Sequence, residues 1–354
     1  FFPPEFKTYV ESLADNGYAV GKTAKGWAPG VAVDANGKRR DLAGPAFNQK
    51  KTRPPASGIS PIDYAANFEL FLKQSAAEKP WCFWYGGFEP HRGYEYGAGV
   101  KKAGKKITDI DRVPAYWPDN ETIRTDMLDY AYEIEYFDQH LVRMLNLLEQ
   151  RGELDNTLVV VIAPTFLEAA GLTTEAAGMQ PITGRSLSDI FQSEKSGMVN
   201  PERDHVLIGK ERHDIGRPHD QGYPIRGIVK QGMLYLKNDE PGRWPAGNPE
   251  TGYLNCDGSP TKSVILQLRR DGKQADFWEW AFGRRPAEEL YAISEDPECM
   301  RNLAALPAHQ GVKNSLKKQL QDELTAQKDP RVLGNGSIFE KYEYSDPRTR
   351  HFYE

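Results

Sequence analysis

Between Lys210 and Asp220 the chain reads Lys-Glu-Arg-His-Asp-Ile-Gly-Arg-Pro-His-Asp, two His-Asp pairs among three cations, and it runs on into Gly222-Tyr-Pro-Ile-Arg226. Cations at that density can hold an anion. Gly216 and Pro218 exclude a continuous helix, so these side chains sit on a loop, where a rigid scaffold presents binding groups. The plain alternative is a solvated turn of mixed charge. Arg226 can clamp an anion or close a hairpin ion pair. A second candidate is His91, in Glu89-Pro-His-Arg92, which follows an aromatic run and the Gly86-Gly87 turn. If that run is a parallel strand, His91 lies at its C-terminal end, where ligands of α/β sheets collect.

Composition narrows the partners. The 354 residues carry a net charge of −5 and are 39% hydrophobic and 11% aromatic, enough for a sizeable core in one or two domains. A sequence pI near 5.9 argues against nucleic acid, whose binders present a strongly basic face. Lys101-Lys-Ala-Gly-Lys-Lys106 is the only dense basic run. No apolar stretch approaches the ~20 residues of a membrane span, and no charged and apolar leader opens the sequence. Cys82, Cys256 and Cys299 form neither a disulfide framework nor a metal knot. Cys82, inside Trp81-Cys-Phe-Trp-Tyr85, reads as a small buried hydrophobe. A Cys256–Cys299 bridge and the oligomeric state stay open.

The elements that must position these groups follow from periodicity. A helix is expected over Pro4–Gly17, then a short strand over Tyr18–Gly21, a long irregular excursion, and a helix from Pro61 to about Ser75. Trp81–Tyr85 has the pattern of a strand buried on both faces. The strongest helix is Thr125–Gln150, with Met127, Tyr130, Ile134, Phe137, Leu141, Leu145 and Leu148 on one stripe. Leu158–Ile162 reads as a second fully buried strand. Ala163–Gly171 is again helical, and a short helix ends near Gln192.

Beyond residue 200 the pattern turns antiparallel. Strands are expected over Asp204–Ile208, Ile225–Lys230, Met233–Leu236 and Ala287–Ile293, with Gln231-Gly232 a hairpin turn and Val312–Ala326 a late helix. The fold expected is therefore α/β: a mostly parallel, doubly wound sheet flanked by helices over residues 1–200, and a smaller α+β subdomain with an antiparallel sheet over 201–354. One junction breaks the grammar. A strand needs about 2–6 residues to reverse into a helix on its own sheet, yet Ile162 runs straight into Ala163-Pro164. Chain is expected to be missing there, and also ahead of Phe1, where a helix stands without its preceding strand.

The chain resembles the sulfatase family of the alkaline-phosphatase superfamily, most closely its heparan N-sulfatase (N-sulfoglucosamine sulfohydrolase) branch. The likeness runs through Gly17-Tyr18 followed by Lys25, Glu89-Pro-His-Arg92, Asp138 to Thr157, Ala163-Pro-Thr-Phe-Leu167, Thr183-Gly-Arg-Ser-Leu187, Tyr223-Pro-Ile-Arg226, Glu289-Leu-Tyr291, Asp296-Pro297 and Asn302-Leu303. It implies an α/β sulfatase fold and a sulfate held between Lys25 and His91. It also implies a sulfated-sugar subsite at His213 and Asp214, with Arg212, Arg217 and Asp220 as further substrate contacts. Trp244, Asn255 and Asp257 suit a sugar-lining loop.

Where the family places a histidine two residues beyond its lysine, this chain has Trp27. The formylglycine nucleophile motif and the aspartates that hold Ca2+ are not among its residues, so the resemblance puts both in segments before Phe1 and between Ile162 and Ala163. It further implies export to periplasm, lysosome or medium. Two readings compete with a sulfatase: a binder of sulfated glycans without turnover, and a phosphodiesterase or phosphonate hydrolase of the same superfamily.

Overall fold

Thr8 starts the first helix by a reciprocal cap: its hydroxyl accepts from the Glu11 N–H, and the Glu11 carboxylate accepts from the Thr8 N–H. The computed structural model describes residues 2–27, 30–76, 78–159, 163–173, 175–179, 182–212, 217–247, 250 and 256–342. Two compact units divide them, residues 1–109 with 127–199 and residues 110–126 with 200–354.

In the first unit, α1 (Tyr9–Asp15) leads to β1 (Ala19–Lys22), α2 (Tyr64–Gln74), β2 (Trp81–Trp84) and α3 (Ala98–Lys101). Helix α4 (Glu121–Gln150) follows, then α5 (Ala163–Ala169) and α6 (Ser188–Phe191). Asn120 starts α4 four residues ahead of the predicted Thr125 because its side chain accepts from the Ile123 N–H. Strands β1 and β2 run parallel, with Ala19 opposite Trp81 and Lys22 opposite Trp84. The other edge of β1 is tied at Lys22, whose N–H donates to the Pro45 carbonyl at 2.9 Å and whose carbonyl accepts from the Phe47 N–H at 2.7 Å.

Aromatic residues build this core. Phe47, Tyr64, Phe68 and Phe71 are buried with Tyr136 and Met144 of α4. Gly21 is required beneath them, since a Cβ there would stand 2.8 Å from the Phe71 ring. Strand β2 differs from its expected burial on both faces: it is half-buried, and Trp84 is 41% exposed. A strand is buried throughout only when helices cover both faces and strands flank both edges; here β2 has one described strand neighbour. Leu158 and Val159 lie outside any strand and are exposed, against the buried strand expected over 158–162. Residues 160–162, and with them the Ile162–Ala163 junction, lie outside the described residues.

The second unit carries an antiparallel sheet in the order β3 (His205–Lys210), β4 (Ile225–Lys230), β5 (Met233–Asn238), β6 (Glu288–Ala292). Gln231 and Gly232 both have positive φ, 48° and 75°, as the tight turn of a two-residue hairpin requires. Helix α9 (Gln310–Ala326) sets Leu316, Leu320 and Leu324 against Ile228, Tyr235 and Leu290. Two helices, α7 (Pro260–Arg270) and α8 (Ala275–Phe282), were not foreseen, although Ser259 before Pro260 is a start signal. Cys299 is a reduced thiol, so the bridge to Cys256 does not form. Burial pushes the Cys82 thiol up to about 11, in keeping with a packed rather than reactive group.

Candidate functional site at the ends of the parallel strands

Thr23, the residue after β1, is fully buried and joins the C-terminal ends of the two parallel strands. Its N–H donates to the Trp84 carbonyl at 3.1 Å and its hydroxyl to the Gly86 carbonyl at 2.8 Å. The chain then turns, with the Ala24 N–H donating to Asn48 Oδ1 at 2.9 Å, and Lys25 follows. Gly86 makes the approach possible: a Cβ on it would stand 1.7 Å from the Lys25 carbonyl oxygen. Lys25 is exposed, and its ammonium lies 5.6 Å from the centre of the Phe88 ring. It makes no ion pair with a described residue.

The turn carrying His91 is fixed at nearly every residue. Tyr64, the first residue of α2, accepts from the Phe88 N–H at 3.0 Å and donates to Glu89 Oε2 at 2.7 Å. The Ser60 N–H holds Glu89 Oε1 at 2.7 Å. Tyr94 donates to the Pro90 carbonyl at 2.6 Å, and the His91 N–H donates to the Phe88 carbonyl at 2.9 Å. The Glu89-Pro90 peptide is cis. His91 is exposed, with Nδ1 2.9 Å from the Arg92 carbonyl. A carbonyl only accepts, so Nδ1 carries the hydrogen and Nε2 faces whatever binds.

Beneath the turn lies a sheltered layer of ionisable groups. Asp129 accepts from the N–H groups of Gly97 and Gly99, at 2.7 and 2.8 Å. Burial, with the nearby Glu89 and Asp129 carboxylates, pushes Glu133 up to about 7. Burial lowers His140, whose Nδ1 faces the Arg143 guanidinium at 3.2 Å. No calcium site is assembled from these groups. Among the described residues no three His, Cys, Asp or Glu side chains are placed to hold a metal ion, and Glu89 and Asp129 commit oxygens to the donors above. The described residues therefore do not fit the ion that the resemblance implies.

The charged loop of the second unit is built differently. Arg217 is 1% exposed, and it donates through Nε to the Trp244 carbonyl at 2.6 Å and through Nη2 to the Pro245 carbonyl at 2.7 Å. Its guanidinium stands 5.5 Å from the Tyr223 ring. Asp220 is buried too, with φ at 53°. Arg212 donates to the Tyr342 carbonyl, while its Nε is buried with no hydrogen-bond partner among the described residues. His213, Asp214 and Asn255 lie outside the described residues. Arg226 closes an ion pair, to Glu211 at 2.9 Å and Asp329 at 2.8 Å.

The structure thus brings Lys25 and His91 to the ends of adjacent strands and places Arg212, Arg217 and Asp220 in the other unit. Sequence reading missed Thr23, Tyr64 and Glu89 as supports. Glu89 stands next to the Pro-His pair and was open to detection. Tyr64 was not, for nothing local marks a partner 25 residues away.

Comparison with known proteins gives the site its context. The family model "Sulfatase" matches residues 3–163. An ulvan-active sulfatase of Formosa agariphila is 24% identical over 269 residues, 65% of this chain and 43% of the relative, so the chain spans under half the length of that protein. A solved structure of a protein in complex with its substrate D-glucosamine-2-N,6-O-disulfate shares the fold at a TM-score of 0.53 and 14% identity, over 97% of this chain and 85% of that one. A 2-O glycosaminoglycan sulfatase does so at 0.53 and 12%, over 98% and 78%. The α/β fold with its C-terminal antiparallel part is therefore that of solved sulfatases. The family model, the curated relative and the shared architecture together support a sulfatase-family assignment.

Proposed function

We propose that the protein to which this chain belongs is a sulfatase hydrolysing sulfate esters or N-sulfate groups of sulfated sugars, heparan- or glycosaminoglycan-derived. The observation that supports this reading is that Lys25 follows the end of β1 and His91 lies on the turn beyond the end of β2, each without an ion pair to a described residue. An ammonium and an imidazole there suit the oxygens of a tetrahedral anion. In this scheme Lys25 binds a sulfate oxygen throughout. His91, with Nδ1–H on the Arg92 carbonyl, can hold a proton at Nε2 beside the leaving oxygen or nitrogen and so act as general acid. The Tyr64–Glu89 contacts keep His91 from drifting.

The resemblance adds a formylglycine nucleophile and Ca2+. Calcium takes six or more oxygen ligands, which the described residues do not assemble, so both are assigned to polypeptide other than this chain. The N-sulfate alternative rests on the heparan N-sulfatase resemblance, and Arg212, Arg217, Asp220, His213 and Asp214 remain the proposed substrate contacts. Export from the cytoplasm belongs to the same reading. Among the described residues no helix is long and apolar enough to cross a membrane.

The test is sulfate release from heparin-derived saccharides by protein made from the complete coding sequence. His91→Ala should lower the rate by roughly 10²–10⁴-fold, the usual worth of a general acid, and Lys25→Ala should lower it too, with thermal melting unchanged in both. If the complete protein frees no sulfate from these saccharides or from aryl sulfates, the reading fails. Saccharide binding that survives calcium chelation without release would then indicate a binder, and bound transition metal a phosphodiesterase.

A further inference from the structure

One feature of the first unit is used neither by the His91 turn nor by the core. A cavity of about 270 Å3 opens between the end of β1 and residues 30–43, lined by Lys22, Trp27, Val33, Arg39, Arg40 and Asp41 among others. Lys25 and His91 are not among its lining residues.

Glycines shape the walls. A Cβ on Gly30 would come within 2.3 Å of the Trp27 indole, so the ring lies directly on that backbone. A Cβ on Gly26 would stand 2.6 Å from Lys22 Cδ and 3.0 Å from Nζ, so the lysine stem lies along Gly26. Arg40 is already neutralised: Glu11 binds its Nε and Nη2, each at 2.8 Å, and the Phe2 ring lies 5.4 Å from its guanidinium. Lys22 and Arg39 make no ion pair with a described residue. Against them stands the single carboxylate of Asp41, which leaves the cavity with a surplus of one positive charge. A cation left at a cavity wall without a counter-charge favours an anionic occupant.

We infer that this cavity is a binding site for one sugar ring bearing a single anionic group, sulfate or carboxylate, separate from the Lys25–His91 centre. The indole of Trp27, 38% exposed, offers an apolar face for the ring. Lys22 and Arg39 hold the anionic group by charge-assisted hydrogen bonds, and Asp41 accepts from a ring hydroxyl. The size agrees, for drug-sized ligands fill roughly 300–1,000 Å3, and a single ring needs less. A nucleoside polyphosphate carries more negative charge than the cavity can balance. The choice of a sugar rests on the glycan reading above; the cavity and its charge do not.

Calorimetric titration of the full chain with glucosamine 6-sulfate tests this, with N-acetylglucosamine, inorganic sulfate and AMP as the other arms. Only the sulfated sugar should bind measurably. Arg39→Gln, at an exposed position, and Lys22→Gln should each weaken it by roughly tenfold, the worth of one charge-assisted contact. Trp27→Ala should weaken it comparably, and His91→Ala should leave it within twofold. Inorganic sulfate or AMP binding as tightly as the sulfated sugar would overturn the assignment, as would an absence of binding. So would equal affinity in Arg39→Gln, a variant not expected to disturb folding. Binding lost in His91→Ala but kept in the cavity variants would uphold the sulfatase site and sink this one.

Discussion

Two groups of cations in this chain meet opposite fates. In the second unit Arg226 is bonded to Glu211 and Asp329, Arg331 to Glu211 and Glu340, and Arg243 to Glu340, so that each of these three guanidinium groups has a carboxylate. In the first unit Lys25 and His91 make no ion pair with a described residue, while the nearby carboxylate, Glu89, is turned inward onto Tyr64 and Ser60. Paired charges hold a fold together. Charges kept apart from their natural partners leave their attraction for something that arrives from solution.

Substitutions can break this contrast. The largest effect is expected from Arg226→Ala, which strands Asp329 and half of Glu211: about 3–5 kcal/mol of stability should go, read by denaturant unfolding, with saccharide affinity at the His91 site unchanged. Next is Gly86→Ala. A methyl group 1.7 Å from the Lys25 carbonyl must drive the two strand ends apart, costing roughly 1–3 kcal/mol and abolishing affinity for sulfated saccharide at the His91 site. Loss of stability with full affinity would show that the strand ends do not form the site. Tyr64→Phe leaves the Phe88 N–H and Glu89 Oε2 without their partner. About 1–2 kcal/mol should be lost, and the pH profile of sulfate release should change in shape as His91 loosens, which a purely structural role would not produce.

The smallest effects sharpen the comparison through pH. Glu133 is raised to about 7, so the folded chain binds more protons than the unfolded one between about 4.5 and 7, and its contribution to stability falls as pH rises through that window. Glu288 is held down to about 2 by the Tyr235 hydroxyl and Lys317, so its contribution is present above about 4.5 and is lost as pH falls towards 2. Glu133→Gln should therefore flatten the neutral limb of the melting-temperature profile and leave the acid limb alone. An unchanged neutral limb would mean that Glu133 is ionised and satisfied in the fold.

Much of this architecture could be read in the chain beforehand, and its failures have identifiable causes. Strands β4 and β5 and their Gln231-Gly232 turn were legible because alternation and a two-residue turn are local signals. Helix α4 was legible from its apolar stripe, but not its first turn, which depends on the Asn120 cap. Arg217 looked like a surface residue because a charged residue between Gly and Pro usually is one. Its burial depends on the carbonyls of Trp244 and Pro245, which no local pattern announces. The apolar run from Leu158 looked like a buried strand, yet its first two residues are exposed: apolar composition gives a tendency to bury, not a neighbour to bury against.

By itself the sequence determined most of the element types and the acidic balance that disfavours nucleic acid, because residue type and spacing carry those properties; Lys25 and His91 were joined only by the family resemblance. Only the tertiary structure decided which cations keep their charge unspent. Whether a guanidinium or an ammonium meets a carboxylate, a carbonyl or open solvent depends on segments tens or a hundred residues away, as with Arg226 and Asp329, and pairing of that kind is settled by packing rather than by proximity along the chain.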